Sequence, residues 1–186
     1  MSNPFLLRER GMAQKFRSSS TVSCGKLSLM QQWSCARLVA IVADTHGLVR
    51  ESVLDALCDV DLILHAGDVG HARVLDQLRQ RAPVVAIRGN VDAGILPLPA
   101  TELLSINQRL VYMLHDVAAL DLNPAVAGFS MVISGHSHKP LIRSKDGVWY
   151  VNPGSIGPRR FKLPISFALA GFGPGQIDVK FKELSQ

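Results

Sequence analysis

The sequence lacks the features that mark a membrane-spanning or disulfide-bonded protein. Charged or turn-forming residues interrupt every apolar run before it reaches the roughly 20 residues that a transmembrane helix needs. The chain has only three cysteines, which include no C-x-x-C pair and cannot all pair with one another. Neither a thiolate metal site nor a disulfide framework is therefore indicated, and a reducing compartment such as the cytoplasm fits best.

Acidic residues are scarce only in the N-terminal part of the chain. Residues 1–37 contain six basic residues and one acidic residue, which accounts for the formal net charge of +5, because the remaining charges balance. A nucleic-acid-binding surface needs Lys and Arg clustered on one face, so the neutral remainder argues against a nucleic-acid partner. The 186 residues, of which 47% are hydrophobic, suffice for one domain with a buried core.

We assign residues 1–37 to an N-terminal extension outside the core and residues 38–186 to a single domain. The extension contains the run RSSSTVS and shows neither strand nor helix periodicity. It is typical of a disordered segment, or of a start site placed too early, with Met30 as the initiator. The alternative is an organelle transit peptide, which is also rich in Arg and Ser and poor in acidic residues. In that case the predicted location is an organelle instead of the cytoplasm.

From residue 38 onward, short β-branched runs alternate with helical patterns, which indicates an α/β layered domain. Helices are predicted at 49–59 and 71–80, each with an apolar stripe, and the dipeptide at 146–147 predicts a hairpin turn. Strands are predicted at 38–43, 61–66, 83–88, 109–114, 131–134, 148–151, 165–172 and 176–183. We expect two sheets packed face to face and flanked by helices.

A short polar motif follows each of the first five predicted strands. The motifs are DTHG (44–47), GDVG (67–70), GNVD (89–92), HD (115–116) and GHSH (135–138). Because the carboxyl ends of strands form the ligand-binding rim of open α/β sheets, we expect the five motifs to meet at one site. The glycines beside the polar residues let the backbone turn sharply and approach bound ions; they are Gly47, Gly67, Gly89 and Gly135.

The spacing within the motifs favours a pair of metal ions. Residues i and i+2 of an extended segment point to the same side, so Asp44 faces the site with His46, and His136 with His138. Two ligands about 6–7 Å apart along a strand suit two ions about 3.5–4 Å apart better than one ion, which gives one histidine to each metal. Asp68 can place one carboxylate oxygen on each ion. Such a mixed N/O set suits Mn²⁺, Fe, Zn²⁺ or Ni²⁺ and is poor for Cu(I).

The five motifs in this order resemble those of the calcineurin-like metallophosphoesterases. The closer resemblance is to the small uncapped phosphodiesterase branch, which shares its fold with the retromer cargo-recognition subunit. The resemblance runs from about residue 38 to residue 183 and covers every metal-binding motif. It implies a four-layer αββα sandwich of two mixed sheets flanked by helices, with a dinuclear site.

The resemblance also implies the ligands. By the family pattern one metal is held by Asp44, His46, Asp68 and His138, and the other by Asp68, Asn90, His115 and His136. The expected cofactors are two divalent ions, with Mn²⁺ preferred and Ni²⁺, Zn²⁺, Fe or Mg²⁺ as alternatives.

Two motifs depart from the family pattern. Many members have a histidine after the asparagine of the third motif, where it is thought to protonate the leaving group, whereas this chain has Val91. General-acid help of about 10²–10⁴-fold is then missing, so we expect good leaving groups to be favoured. The fourth motif is usually His-Gly-His, and here it is His115, Asp116 and Val117. Asp92 matches the family pattern, and it is expected to orient a metal ligand without itself contacting the ion.

Four further residues are candidates for roles beside the site. The segment VNPGSIGPRRF (151–161) resembles the Asn-Pro-Gly-Ser turn of the branch, and Arg159 and Arg160 are candidates for contact with substrate phosphate. His65 is expected to hydrogen-bond next to the site without touching a metal, and His71 to begin a helix.

The resemblance implies a metal-dependent phosphodiesterase, with Asp68 and Asn90 as catalytic residues. In this hypothesis a hydroxide bridging two divalent ions attacks phosphorus in line, while the ions and Asn90 hold the phosphoryl oxygens. The expected substrate is a small phosphodiester; residues 93–108 leave little chain for a lid, which favours substrates of varied shape, and a homo-oligomer is compatible with the sequence. The alternative is a non-catalytic protein-interaction scaffold like the retromer subunit, although that subunit has lost part of the metal set that is complete here.

Overall fold

A computed structural model describes residues 30–160 and 162–184, which form two β-sheets packed face to face. The strands are β1 (Gln31–Trp33), β2 (Leu38–Val42), β3 (Leu62–His65), β4 (Val84–Ala86), β5 (Thr101–Ile106), β6 (Arg109–Leu114), β7 (Phe129–Ile133), β8 (Leu141–Lys145), β9 (Val148–Asn152), β10 (Ile165–Phe172) and β11 (Ile177–Leu184). The α-helices are α1 (Glu51–Ala56) and α2 (Ala72–Arg79), and a 3₁₀ helix spans Val117–Ala119.

Both sheets are mixed and have parallel strands at their centres. The six-stranded sheet has the order β1-β5-β6-β7-β9-β8, in which β6, β7 and β9 run parallel. The five-stranded sheet has the order β11-β10-β2-β3-β4, in which β2, β3 and β4 run parallel. Parallel strands bring their carboxyl ends to one edge, which is where the five polar motifs leave the sheets.

The main core lies between the two sheets. Alternate residues of β2 and β3, such as Val39, Ile41 and Leu64, meet Met113 and Ile133 of the opposite sheet, and all are fully buried. This alternation is the period-two pattern of strands with one face on the core. The core fixes the distance between the sheets and hence the width of the edge that carries the motifs.

The outer faces of the sheets are covered differently. Both α-helices pack on the five-stranded sheet, with Leu57 of the α1 segment and Leu78 of α2 against Ile63 and Phe167. On the six-stranded sheet the outer face is covered by the 3₁₀ helix and the chain after it, where Leu120 packs on Val132.

The predicted fold class is confirmed, and each of the eight predicted strands is present: β6 and β10 have the predicted bounds, and the others differ by one or two residues at an end. The hairpin turn is confirmed too, since Asp146 and Gly147 connect the antiparallel strands β8 and β9 with positive φ at both residues. The prediction omitted β1, β5 and β8. Strand β1 lies within the predicted extension and pairs with β5, while residues 1–29 of that extension lie outside the described residues. No described helix has the length and apolarity needed to cross a membrane.

Candidate metal centre

All seven predicted ligands lie at the carboxyl edge of the parallel strands and are linked by a chain of short distances. The distances join Asp44 Oδ1 to His138 Nε2 (3.4 Å) and His46 Nε2 (4.0 Å), Asp68 Oδ2 to His46 Nε2 (3.8 Å), Asp68 Oδ1 to His115 Nε2 (3.4 Å), and His136 Nδ1 to Asn90 Oδ1 (3.2 Å). The ring centroids of His115 and His136 are 5.3 Å apart, which connects the last pair to the rest. Residues spread over 95 positions of sequence therefore form one polar cluster.

The cluster has two halves. In the first, ligand atoms of Asp44, His46 and His138 lie within 4.8 Å of one another. In the second, ligand atoms of Asp44, Asp68 and His115 do so, with the pair of Asn90 and His136 alongside. The family pattern gives Asp44 to one ion only, whereas in this structure its carboxylate lies within reach of both groups.

The backbone of the motifs differs from the extended conformation that the spacing argument assumed. Five of the seven residues have left-handed φ values: Asp44 (56°), His46 (46°), Asp68 (54°), His136 (67°) and His138 (57°). The expectation of extended i, i+2 pairs was therefore wrong. Left-handed backbone at a non-glycine residue costs about 1–3 kcal/mol and persists where the surrounding structure enforces it, commonly at functional sites. The turns aim His136 and His138 at different halves of the cluster.

Two glycines allow the motif loops to approach each other. Gly67 has φ of 92°, and a Cβ there would meet the ring of His115 and the backbone of Gly89. A Cβ at Gly89 would overlap the Asp68 carboxylate. The second and third motifs can therefore pack this closely only without side chains at these positions.

The charges in the cluster call for a cation. Burial, together with the neighbouring Asp68 carboxylate, raises the pKa of Asp44 to about 8. Neither carboxylate oxygen of Asp44 has a hydrogen-bond partner among the described residues, although both are buried. A buried, unpaired carboxylate beside a second carboxylate is costly, and a divalent ion between them removes that cost.

The histidines of the first half are in the form that binds metals. Burial lowers the pKa of His46, and burial with the Arg160 guanidinium and His46 lowers the pKa of His138 to about 4. Both rings are thus neutral at pH 7, and a neutral imidazole has the lone pair that a metal requires. Carboxylate oxygens, imidazole nitrogens and one carboxamide oxygen fit a borderline divalent cation.

The ring of His115 is oriented by the backbone. Its Nδ1 lies 2.7 Å from the carbonyl oxygen of Ala66, so Nδ1 carries the proton and donates it. The buried Nε2 is left with its lone pair towards Asp68 and without a hydrogen-bond partner in the described part of the chain. A ligating histidine that donates its second N–H to a carbonyl is a recurring feature of metal sites.

Asp92 holds the loops that carry the ligands. Its Oδ1 accepts the N–H of Gly70 (2.7 Å), and its Oδ2 accepts those of Gly89 (2.9 Å) and Val69 (3.0 Å). Burial opposes ionisation of this carboxyl, but the three N–H donors outweigh it, and the pKa is lowered. Asp92 therefore acts on the backbone of the second and third motifs, at Val69, Gly70 and Gly89, rather than on a ligand side chain as expected.

His65 and His71 have the places expected for them. His65 is fully buried, accepts the Gly67 N–H at Nδ1 (3.2 Å) and hence donates from Nε2 to the Thr45 hydroxyl (2.9 Å). Burial lowers its pKa to about 4. His71 is the N-cap of α2, with Nδ1 accepting the Arg73 N–H (3.1 Å).

The segment 152–157 supports two motifs at once, which sequence reasoning missed. The Asn152 carboxamide donates to the Gly135 carbonyl (2.5 Å) and to the Ser137 hydroxyl (3.1 Å), and Ser155 donates to the Asp44 carbonyl (2.9 Å). The Asn-Pro-Gly-Ser pattern signalled a turn, as Gly154 with φ of 80° shows. It gave no sign that this turn would fix the first and fifth motifs relative to each other.

The departures from the family pattern have visible consequences. The Asp116 carboxylate accepts the Ala118 N–H (2.9 Å) and caps the 3₁₀ helix, so it does not join the cluster. The Val91 N–H donates to Asp68 Oδ1 (3.0 Å), but its side chain supplies no acid. Arg160 Nη2 lies 3.3 Å from His46 Nε2, whereas Arg159 is exposed and makes no hydrogen bond among the described residues.

The larger cavity of the molecule lies elsewhere. It has a volume of about 1500 Å³ and is lined by residues at the opposite edge of the sheets, including Trp33, Arg37 and Arg109. None of the seven clustered residues lines it. The polar cluster therefore lies at the carboxyl edge of the strands, and the volume of a cavity does not identify the candidate site.

One protein-family model matches most of the chain. A model described as the calcineurin-like phosphoesterase superfamily domain matches residues 38–173. A protein named probable metallophosphoesterase, from Methanocaldococcus jannaschii, is 37% identical over 131 residues, which cover 63% of this chain and 67% of that protein. The phosphodiesterase YfcE of Escherichia coli K12 is 28% identical over 107 residues, 53% of this chain and 58% of that protein.

Solved structures show the same fold. Vps29 of Entamoeba histolytica, crystallised with Zn²⁺, superposes with a TM-score of 0.63 at 22% identity, covering 78% of this chain and 98% of that one. A structure described as a novel archaeal phosphodiesterase gives 0.64 at 16% identity, covering 79% and 99%.

Proposed function

The chain belongs to the calcineurin-like phosphoesterase superfamily, and from this membership and the polar cluster we propose that it is a phosphodiesterase dependent on two divalent metal ions. One observation carries the proposal: the Asp68 carboxylate lies between two histidines, with Oδ2 3.8 Å from His46 Nε2 and Oδ1 3.4 Å from His115 Nε2. A carboxylate with one oxygen towards each half of a ligand cluster is the arrangement that a pair of ions needs.

We propose the ligand sets that the family pattern implies. One ion would be held by Asp44, His46, Asp68 and His138, and the other by Asp68, Asn90, His115 and His136. The short distances within each half and the unpaired atoms of Asp44 and His115 support this division. Among the cations that suit these ligands we propose Mn²⁺, with Ni²⁺, Zn²⁺, Fe and Mg²⁺ to be compared against it.

With divalent ions held by these residues, the site would provide hydroxide near neutral pH for attack on phosphorus. The chain itself positions the reactants. Asn90, at the exposed side of the cluster, has a carboxamide that can donate to a phosphoryl oxygen, and the Arg160 guanidinium brings positive charge to the same edge. Since Val91 offers no proton to the departing group, diesters with acidic leaving groups are the better substrates.

The site is open enough for small diesters of varied shape. His136 is exposed, and the chain between the third and fourth motifs consists of a short turn-rich segment followed by the paired strands β5 and β6. We propose a small phosphodiester as the substrate class, residues 38–186 as the catalytic domain, a location in the cytoplasm and no nucleic-acid partner.

The experiment begins with protein stripped of metal by a chelator and assayed with bis(4-nitrophenyl) phosphate and 4-nitrophenyl phosphate. Activity should be absent after stripping, return with Mn²⁺, and be greater for the diester. Asp68→Asn and His136→Ala should remain inactive after reloading, while Asp178→Asn, an exposed change far from the cluster, should behave as wild type. Equal hydrolysis by stripped, reloaded and variant proteins would refute the proposal.

The second candidate is a non-catalytic protein-interaction scaffold, favoured by the fold shared with Vps29. The same assay separates the two functions. A protein that binds two cations with its fold intact but hydrolyses neither ester, with any of the five metals, would support the scaffold and exclude the enzyme.

A further inference from the structure

A groove of about 410 Å³ opens beside His136 and runs along the outer face of the six-stranded sheet. It begins at Ser134 and His136, at the carboxyl end of β7, and ends at Tyr150 and Arg143 on the edge hairpin of β8 and β9. We call this feature the outer groove. It is continuous with the candidate metal centre, because His136 lines the groove and contacts Asn90.

The walls of the outer groove are apolar and accessible. Val117 of the 3₁₀ helix is 44% exposed and Leu141 at the start of β8 is 47% exposed, and the half-buried Tyr150 also lines the groove. Scattered exposed apolar residues need no explanation, but these border one groove beside a reactive centre. A flat apolar group placed there would contact Val117, Leu141 and Tyr150.

The far end of the outer groove is positively charged. The Arg143 guanidinium lies 5.0 Å from the centroid of the Tyr150 ring, across the β8–β9 pair that joins these residues. Within the described residues neither Arg143 nor Lys139 forms an ion pair. Asp116, the acid of the lining, is already engaged with the Ala118 N–H. An anionic group at the far end would therefore meet the Arg143 guanidinium, which has no ion-pair partner among the described residues.

We propose that the outer groove binds the ester substituent that stays on phosphorus, and that this substituent is flat and apolar with an anionic group at its far end. In-line attack sends the leaving group away from the nucleophile, so only the other ester substituent stays on phosphorus after the reaction. The proposal assigns the groove, which opens next to His136, to this retained substituent. The inference rests on the proposed function and names its substrate class.

The test uses three diesters with the same leaving group, 4-nitrophenol, and different retained arms: methyl, phenyl and 4-carboxyphenyl. In the Mn²⁺-loaded wild type, kcat/KM should rise in that order. Arg143→Gln should reduce the advantage of the carboxyphenyl over the phenyl diester by about fivefold, the scale of one partly exposed charge pair. Leu141→Ser should reduce the advantage of phenyl over methyl by about fourfold through lost apolar contact. Hydrolysis of the methyl diester should be unchanged in both variants.

Lys145→Gln is the matched control, because Lys145 lies on the same face of the same strand but does not line the groove. It should leave all three values as in wild type. Equal kcat/KM for the three diesters in an active wild-type enzyme would overturn the groove assignment and leave the proposed function intact. Inactivity towards all three would instead overturn the proposed function and, with it, the inference that rests on it.

A binding measurement provides a readout independent of turnover. The chain has two tyrosines, so 3-fluorotyrosine labelling gives two ¹⁹F signals, which Tyr112→Phe assigns. Methyl 4-carboxyphenyl phosphate, which has no good leaving group, should shift the Tyr150 signal and not that of Tyr112, which is stacked on Phe129 outside the groove. Arg143→Gln should raise the apparent Kd about fivefold. A shift at Tyr112 alone, or at neither ring, would contradict the assignment.

Discussion

Nε2 of His46 lies 3.3 Å from Nε2 of His138, although 92 residues separate them in sequence. Their rings are stacked with centroids 5.2 Å apart, and both nitrogens face Asp44 Oδ1. Burial keeps the pKa of both rings below its ordinary value, so the nitrogens meet without positive charge at pH 7. Two imidazole nitrogens and a carboxylate oxygen this close together could hold a single cation, as in the ligand set proposed above.

His138→Ala should therefore remove one of two bound ions. Elemental analysis of Mn²⁺-loaded, desalted protein should give two ions per wild-type chain and one per variant chain, with activity lost. His71→Ala is the control: it removes the N-cap of α2, at a cost of about 1 kcal/mol, and should retain both ions. Full metal content in the His138 variant would rule out this ligand set.

Asp44→Asn should stabilise the metal-free protein increasingly as the pH rises. The pKa of Asp44 is raised from 3.8 to about 8, so between these values the folded chain holds a proton that the unfolded chain has lost. Wild-type stability thus falls as pH increases through that window, and the variant, which cannot ionise, is spared this loss. The Tm difference, variant minus wild type, should grow from pH 4 to pH 9 without metal.

The sign of this Tm difference should reverse with saturating Mn²⁺, since the cation binds the wild-type carboxylate more strongly than a carboxamide. A Tm difference independent of both pH and Mn²⁺ would contradict the charge argument.

Gly89→Ala should weaken metal binding. The added Cβ would overlap the Asp68 carboxylate and the Asp68 backbone nitrogen, and so force the carboxylate away from the position between the two histidines. We expect at least a tenfold loss of Mn²⁺ affinity by calorimetric titration, comparable to the loss of a supporting contact. Gly175→Ala, where a Cβ meets nothing within 4 Å, is the control and should bind as wild type. Unchanged affinity in Gly89→Ala would mean that Asp68 does not bridge.

Asp92→Asn should destabilise the fold and the metal centre together. Both carboxylate oxygens accept backbone N–H groups, and an amide nitrogen in place of one oxygen would face a donor. The expected loss is about 1–3 kcal/mol in the free energy of unfolding, measured by urea denaturation of metal-free protein. The exposed change Asp178→Asn should lie within about 0.5 kcal/mol of wild type. A neutral effect at Asp92 would show that the loops hold without it.

Arg160→Ala should raise KM for bis(4-nitrophenyl) phosphate by about tenfold, the value of a charge-assisted hydrogen bond to phosphate. Arg159→Ala is its sequence neighbour without a hydrogen bond among the described residues, and should leave KM unchanged. Equal effects of the two substitutions on KM would mean that Arg160 contributes only general positive surface charge and does not bind the phosphate.

The sequence predicted the central strands because they are buried on both faces and read as continuous apolar runs, as β2 and β3 do. The omitted strands lack that signal. Strand β8 is almost entirely exposed at a sheet edge, and β1 is three residues long and depends on a distant partner, β5. Their pairing is a property of the assembled sheet, which local composition does not encode.

The candidate metal centre was likewise predictable only in part. The positions of the seven polar residues after strands predicted that they would meet, because strand ends share an edge. The conformation of the motifs was not predictable, since Asp and His rarely adopt left-handed φ and nothing local marks the five that do. Nor did the sequence reveal that Asn152 and Ser155 would tie two motifs together, because those bonds cross 15 and 111 positions.

The left-handed turns also bear on how quickly the protein is loaded. Their shape is set by Asp92, Asn152 and Ser155 through backbone bonds that exist without any ion. A cation therefore binds to loops whose conformation is already formed, and its binding requires no rearrangement of the backbone. The rate of metal binding should then depend on how fast the cation loses its bound water. Mg²⁺, which dehydrates slowly, should bind most slowly.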